Sequence, residues 1–150
     1  MARALIVGCG CRGRELGGQL MAEGWAVRGT SRRQEGLEAI AAAGIEPALA
    51  DPDRPATILE LVNDVAVLVI LLGNASGSEE ELAAIHGPRL ERLLEHLVET
   101  PVRGVVYEGT EAGAEIVRAA ERTWRIPVEI LGGDSSPAAA VNAILAGRRT

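Results

Sequence analysis

The sequence predicts an α/β protein built on a doubly wound parallel sheet. Short runs rich in Val, Ile and Leu alternate along the chain with longer segments of helical periodicity. The connections between them are short, and several begin or end with Gly or Pro. A glycine-rich turn, Gly8-x-Gly10-x-x-Gly13, joins the first apolar run to the first helical segment.

Six strands are predicted, and the fourth is apolar on both faces, as expected of a strand that is covered by helices on each side. The usual order of this topology is 3-2-1-4-5-6, and right-handed crossovers then place helices on both faces of the sheet. The strands are expected at Arg3–Val7, Ala26–Gly29, Glu46–Leu49, Asp64–Leu72, Val102–Tyr107 and Pro127–Leu131.

The helices between these strands are bounded by glycine, proline and capping residues. Gly24 ends the first helix, Asp53 is a candidate N-cap for the third, and Ser78 with Glu81 resembles a capping box. The long fourth helix carries a potential break at Gly87-Pro88. The helices are expected at Cys11–Glu23, Gln34–Ala43, Pro55–Val62, Glu79–Glu99, Glu111–Trp124 and Pro137–Ala146.

Length and composition restrict the class of protein. A chain of 150 residues predicts a single domain over residues 1–150. The formal net charge of −6 argues against a nucleic-acid partner. The longest apolar run, Val65–Leu72, is too short to cross a bilayer. The first strand starts at Arg3 with no signal peptide before it. We therefore expect a cytoplasmic protein without a membrane partner. Two cysteines in the glycine turn and two distant histidines predict no metal site.

All 15 basic side chains are arginine, and the sequence contains no lysine. A P-loop nucleoside triphosphatase of the usual kind needs a lysine that reaches the phosphates, and a Schiff-base enzyme needs a lysine amine. The sequence therefore excludes both classes of enzyme.

The glycine turn predicts a dinucleotide site because a strand precedes it and a helix and a second strand follow. Gly8 permits a tight turn, Gly10 lets the backbone approach a pyrophosphate, and Gly13 lets the helix pack close to the strand. The free N–H groups at the start of the helix then face the anion. We therefore expect a Rossmann-type site whose phosphate-binding residues are Gly8, Cys9, Gly10, Cys11, Arg12 and Gly13.

The loop after the second strand bears on which dinucleotide is bound. It reads Thr30-Ser31-Arg32-Arg33 and has no acidic residue to bind the ribose 2′-hydroxyl of NAD. A 2′-phosphate is best bound by hydroxyl and guanidinium groups. Thr30, Ser31, Arg32 and Arg33 therefore favour NADP over NAD, and Arg12 is expected to reach the same phosphate or the adenine. The alternative is that Arg32 and Arg33 are solvated charges at the start of the second helix.

With these residues the sequence resembles the extended and atypical members of the short-chain dehydrogenase/reductase superfamily. An aspartate after the third strand commonly contacts the adenine in that superfamily, which corresponds here to Asp51; a turn-forming role before Pro52 is the equal alternative. The resemblance also implies that the loop after the fourth strand lines the nicotinamide ribose. That loop consists here of Leu72, Gly73, Asn74 and Ala75.

The catalytic pattern of the superfamily is missing from the sequence. Its Tyr-x-x-x-Lys pair lowers the pKa of the tyrosine, whereas here the single tyrosine, Tyr107, is followed four residues later by Glu111. An unassisted tyrosine has a pKa of about 10 and exchanges protons poorly at neutral pH. The C-terminal substrate region of extended members is also expected to be absent. No catalytic residue is therefore assigned.

Other polar residues near the expected cleft keep two roles open. His86 is expected either to face the cleft as an acid or base, or to be partly buried or in a subunit contact. Glu108, Thr110 and Glu111 follow the fifth strand and are expected to bind substrate or transfer protons, or else to be solvated and cap a helix.

These observations predict an NADP(H)-binding protein related to short-chain reductases, with non-standard oxidoreductase activity on an unknown small molecule. The alternatives are a non-catalytic dinucleotide sensor or regulatory subunit, and a scaffold that has lost its ligand. The apolar side chains of the fourth helix exceed what one face against a sheet requires. The resemblance implies subunit pairing through the helices that flank strands four and five, and we therefore expect a homodimer through these helices. The apolar side chains are those of Leu82, Ile85, Leu90, Leu93, Leu94 and Leu97.

Overall fold

A computed structural model describes residues 2–73 and 75–147 of the chain and confirms the predicted fold class. Its strands are β1 (Arg3–Val7), β2 (Ala26–Ser31), β3 (Glu46–Leu49), β4 (Val67–Leu71), β5 (Gly104–Glu108) and β6 (Val128–Ile130). All neighbouring strands are parallel, and their order is β3-β2-β1-β4-β5-β6. This is the predicted order, and it is that of a Rossmann fold.

Seven helices connect and follow these strands in the described part of the chain. They are α1 (Cys11–Ala22), α2 (Gln34–Ala42), α3 (Pro55–Leu59), α4 (Glu79–Ile85), α5 (Pro88–Leu97), α6 (Glu111–Trp124) and α7 (Pro137–Gly147). None of those helices is of a length and apolar character that would take it across a membrane.

The long helix expected after the fourth strand is two helices, α4 and α5. Pro88 stands in the first turn of α5, where its missing N–H is tolerated. Gly87 lies so close to α4 that a Cβ there would be 2.6 Å from the carbonyl oxygen of Ala83. The potential break at Gly87-Pro88 is thus confirmed, and so is the capping box of α4, in which Ser78 and Glu81 exchange hydrogen bonds of 3.1 and 2.9 Å.

The N-cap expected at Asp53 is wrong. Arg54 is the residue that precedes α3, and no side-chain hydrogen bond caps this short helix. The carboxylate of Asp53 instead accepts a hydrogen bond from Nε of Arg89 at 3.1 Å. A charge-assisted bond to an arginine replaces the weaker bond to a backbone amide.

The core has one apolar layer on each face of the sheet. On one face, side chains of α3, α5 and α6 pack against the strands. On the other face, side chains of α1, α2 and α7 do so. The leucines of α5 that suggested a homodimer are part of the first layer, since Leu90, Leu93, Leu94 and Leu97 are all buried within the chain. They form no exposed apolar surface, and the homodimer stays a prediction.

Candidate functional site

A cleft of about 700 Å³ opens at the carboxyl ends of β1, β2 and β4. It lies where the strand order reverses, which is the usual position of a ligand crevice in a doubly wound sheet, and its size is that of a small-molecule site. Three segments that are distant in the sequence form its walls. The expected site residues that line it are Gly8, Cys9, Gly10, Cys11, Arg12, Gly13, Thr30, Ser31, Arg32, Arg33 and Leu72.

Two other expected site residues, Asp51 and Gly73, do not line this cleft in the part of the chain that the structure describes. The carboxylate of Asp51 accepts a hydrogen bond from the amide of Asp53 at 2.9 Å, which is the turn-forming role. Its neighbours Ala50 and Pro52 line the cleft, and an adenine contact by Asp51 stays a prediction. Gly73 lies beside the side chain of Glu108. Asn74 lies outside the described residues.

The glycine turn is fixed to the strands on both sides of β1. Gly8 has φ +77°, and a Cβ at this position would collide with the carbonyl oxygen of Leu71 at the end of β4. Its amide donates to Oγ1 of the buried Thr30 at 3.4 Å, and the amide of Cys9 donates to the Thr30 carbonyl at 3.1 Å. The turn therefore keeps its shape through contacts with β2 and β4.

The two other glycines of the motif differ in their surroundings. No atom lies within 4 Å of a Cβ built on Gly10, so the backbone there is open to the cleft. A Cβ on Gly13 would be 3.2 Å from Ile6 and from the sulfur of Cys9, so α1 packs closely on β1. The first bond along α1 runs from the Arg14 amide to the Gly10 carbonyl at 2.8 Å. The amides that precede it have no intrahelical acceptors and can bind an anion.

The two cysteines of the turn differ in environment. Cys9 is buried between α1 and β2, and burial raises the pKa of its thiol to about 11 although Arg14 acts in the opposite direction. Its sulfur would be 2.6 Å from a Cβ at Gly29, so it fills the space that this glycine leaves. Cys9 is therefore a protonated packing residue, whereas Cys11 is exposed in the cleft.

The loop after β2 brings two guanidinium groups to the other end of the cleft. Arg32 and Arg33 are exposed there. The Ser31 hydroxyl oxygen accepts a hydrogen bond from the Arg33 amide at 3.1 Å, so its O–H remains available as a donor. A Cβ at Gly36 would collide with Ser31, which shows how closely α2 packs on this loop. The arrangement is suited to a phosphate group.

Arg12 forms a contact with the opposite wall of the cleft. Its Nη1 forms an ion pair with Oε2 of Glu108, which is the last residue of β5 and also lines the cleft. The contact of Arg12 with the 2′-phosphate or the adenine, expected from the sequence, stays a prediction. The sequence could not anticipate this ion pair because the two residues are 96 positions apart in the chain.

A buried hydrogen-bonded pair lies behind the cleft wall. Nδ1 of His86 and the hydroxyl of Tyr107 are 2.6 Å apart, and the hydroxyl accepts a bond from the Thr110 amide at 3.1 Å. Burial lowers the pKa of His86, against a smaller opposite effect of the Leu72 backbone. Burial also raises the pKa of Tyr107, although bonds to Thr110 act in the other direction. Of the two roles left open for His86, the structure shows the buried one.

The residues after β5 have the structural roles that the sequence left as alternatives. The Thr110 side chain accepts a hydrogen bond from the Gly113 amide at 3.0 Å and caps α6. Glu111 is exposed and pairs with Arg118. Only Glu108 of this group lines the cleft.

Several lining residues were not among the expected site residues. Arg14 and Glu15 follow the glycine motif within α1. They lie one helical turn after its residues in the sequence, and this spacing could have identified them as lining residues. Ile85 has no local signal, because its place in the cleft depends on how α4 packs in the fold. The remaining residues of this kind are Gly36, Ala50, Pro52, Leu71 and Ser76. Within residues 2–73 and 75–147, no three His, Cys, Asp or Glu side chains come together as a metal site would require.

The fold and the cleft define a protein of the Rossmann dinucleotide-binding topology, and solved structures share it. A short-chain dehydrogenase/reductase superfamily protein from Agrobacterium tumefaciens with bound NAD has a TM-score of 0.67 and 18% identity over 85% of this chain. The triphenylmethane reductase of Citrobacter sp., complexed with NADP(H), has a TM-score of 0.63 and 17% identity over 85% of this chain. The TrkA-N domain of the Escherichia coli inner membrane protein YbaL has a TM-score of 0.62 and 14% identity over 88% of it.

At these identities the likeness is one of fold. The chain spans 48% of the length of each of the first two proteins and 87% of the TrkA-N domain. Neither a protein-family model nor a curated protein matches the sequence.

Proposed function

We propose that this protein binds a nicotinamide dinucleotide in the cleft, prefers NADP(H) to NAD(H), and is related to the short-chain reductases. One observation carries the proposal. The open glycine turn and the acid-free loop Ser31–Arg33 line the same cleft although they are far apart in the sequence. The fold likeness to proteins solved with NAD and with NADP(H) supports the cofactor class.

The positions of the residues along the cleft suggest the orientation of the bound dinucleotide. The pyrophosphate sits against the amides at the start of α1, and the 2′-phosphate sits against Ser31, Arg32 and Arg33. The nicotinamide half then extends toward the ends of β4 and β5, where Gly73 and Asn74 are expected beside its ribose. Leu72, Ala75 and Glu108 line this half of the cleft.

Reduction by this protein would follow a non-standard mechanism. Hydride transfer itself requires only a cofactor and a positioned substrate. Tyr107 is only 1% exposed, and its hydroxyl is bonded to His86 and Thr110, so it is not available to a substrate in the cleft. The same observation favours a second function, that of a non-catalytic dinucleotide sensor or regulatory subunit. Turnover of NADPH with a panel of carbonyl compounds distinguishes the two.

The preference for NADP(H) is tested by calorimetry with NADPH and NADH. We expect NADPH to bind wild type more tightly than NADH does. The variant Arg32→Ser/Arg33→Ser should lose about 10- to 100-fold of its NADPH affinity, because about 1.4–2.8 kcal/mol of charge-assisted bonding is removed. Its NADH affinity should change less than about threefold, since NADH has no 2′-phosphate.

The matched control is Arg92→Ser/Arg122→Ser, which removes the same charge from exposed positions on α5 and α6. It should leave both affinities close to those of wild type. Tighter binding of NADH than of NADPH by wild type, or equal losses for both ligands in the Arg32/Arg33 variant, would contradict the preference. A melting temperature that no dinucleotide shifts would favour the scaffold without a ligand.

A further inference from the structure

An ion pair crosses the cleft from one wall to the other. Arg12 is the second residue of α1 and Glu108 is the last residue of β5, and both line the cleft. The side chain of Arg12 is 42% exposed and that of Glu108 is 19% exposed. The contact therefore lies at the mouth of the cleft, within reach of an entering ligand.

Glu108 is held in place by its backbone and by the residue before it. Its carbonyl accepts a hydrogen bond from the Leu72 amide at 3.0 Å. The preceding Tyr107 is fixed by the buried bonds to His86 and Thr110. This anchoring leaves the side chain of Glu108, and not its backbone, free to respond to a ligand.

The Glu108 side chain extends over the end of the neighbouring strand. A Cβ at Gly73, in the loop after β4, would be 3.4 Å from Oε1 of Glu108. From there the carboxylate meets the guanidinium of Arg12 at the start of α1. The pair thus bridges the crevice between β1 and β4, which is where the proposed function puts the pyrophosphate.

A pyrophosphate in this position offers Arg12 a better partner than Glu108. Guanidinium groups bind phosphates through two parallel charge-assisted bonds, and the start of α1 adds its own amides to the same anion. A partly exposed ion pair is weak by comparison. The carboxylate of Glu108 and the phosphates also repel each other, so the ion pair and the bound ligand compete for one guanidinium.

We propose that Glu108 occupies the guanidinium of Arg12 until a dinucleotide displaces it, so that Glu108 sets ligand affinity by competing for this guanidinium. The inference rests on the proposed function, because it requires a diphosphate in the cleft. It adds an affinity-determining residue, Glu108, on the opposite side of the cleft from Ser31–Arg33.

A double-mutant cycle tests this competition, with NADPH as the probe because its nicotinamide ring is uncharged. Glu108→Gln should bind NADPH about fivefold more tightly than wild type, the ratio that corresponds to an ion pair of about 1 kcal/mol. Arg12→Gln should bind it about tenfold less tightly. When both changes are combined, the gain from Glu108→Gln should fall below about twofold, since no guanidinium remains to be released.

Two further variants separate competition from simple charge repulsion. Glu15→Gln removes the same charge from the wall of the same cleft, and it should tighten NADPH binding by less than about twofold. Glu108→Asp keeps the charge but moves it one methylene farther from Arg12, which weakens the ion pair, so it should tighten binding by less than Glu108→Gln does. Melting curves confirm that each variant is folded. If one of the two Glu108 variants does not fold, the other alone suffices for the test.

An unchanged affinity in both Glu108 variants would overturn the inference. So would a gain from Glu108→Gln that is as large with Arg12→Gln as without it, because that result indicates repulsion alone. If wild type itself binds no NADPH, the proposed function fails and this inference fails with it. The behaviour of wild type therefore tells the two failures apart.

Discussion

The hydroxyl of Tyr107 and Nδ1 of His86 form a buried hydrogen bond of 2.6 Å, and the hydroxyl also accepts a hydrogen bond from the Thr110 amide. A Cβ at Gly109 or Gly113 would collide with this hydroxyl, which shows how little space surrounds it. Burial disfavours the charged imidazolium and lowers the pKa of His86.

We therefore expect His86 to make stability depend on pH. Its pKa is lower in the folded than in the unfolded chain, where it is about 6.5. Stability is then full above about pH 6.5 and falls as the pH decreases toward the folded pKa, by up to about 1.4 kcal/mol per pH unit. Urea unfolding between pH 5 and 8 should show this slope for wild type and for His96→Gln, which changes an exposed histidine. His86→Gln should lack it, and an equal slope in that variant would contradict the assignment.

The glycine turn was predictable at this scale, whereas the residue pairs were not. Gly8, Gly10 and Gly13 have a spacing that encodes their task within six residues of sequence. The bond between His86 and Tyr107 and the ion pair between Arg12 and Glu108 join different elements, 21 and 96 positions apart. Such contacts follow from strand order and helix packing, which no local pattern encodes.

At the scale of elements, Arg28 ties several of them together near the amino ends of the strands. It extends from β2 and donates to Glu46 of β3 at 2.9 Å, to the Leu61 carbonyl at 2.8 Å, and to both carboxylate oxygens of Asp64 at 2.9 and 3.1 Å. Arg3 of β1 contacts the same two carboxylates at 3.1 Å. The hydrogen bond from Arg28 lowers the pKa of Asp64.

Arg28→Ala should therefore lower the free energy of unfolding by about 1–3 kcal/mol, because it leaves the Leu61 carbonyl without its donor and removes one of the two arginines that pair with Glu46 and Asp64. Urea denaturation at pH 7 measures this loss. Arg118→Ala is the control, because Arg118 pairs with Glu111 and Glu115 on the exposed surface of α6, where ion pairs contribute little. Its denaturation midpoint should stay that of wild type. Equal shifts in the two variants would show that the Arg28 network is no stronger than a surface pair.

Element boundaries were predictable where a local signal sets them. Pro88 and the Ser78–Glu81 capping box mark helix starts in the sequence and in the structure alike. The fourth strand was expected at Asp64–Leu72, but only Val67–Leu71 forms it. Its ends depend on where pairing with β1 and β5 stops, so the apolar run alone could not define them.

At the scale of the whole molecule, the two edges of the sheet that are formed by the carboxyl ends and by the amino ends of the strands have different roles. The carboxyl edge carries the cleft, because the strand order brings the ends of β1, β2 and β4 together. The amino edge carries the Arg28 network and the contact of α7 with the start of β5, where a Cβ at Gly104 would be 2.5 Å from Ile144. Stability and binding should therefore be separable by substitutions at opposite edges.

Ile144→Ala tests that separation. Ile144 is 2% exposed, so its truncation leaves a cavity and should cost about 2–4 kcal/mol in unfolding free energy. At 15 °C, where a protein of ordinary stability remains folded, its affinity for NADPH should stay within about twofold of wild type. Ile85→Ala is the comparison, because Ile85 is also buried but lines the cleft, and it should lose both stability and NADPH affinity. A folded Ile144→Ala protein that binds NADPH as weakly as Ile85→Ala would mean that the two edges are coupled through the sheet.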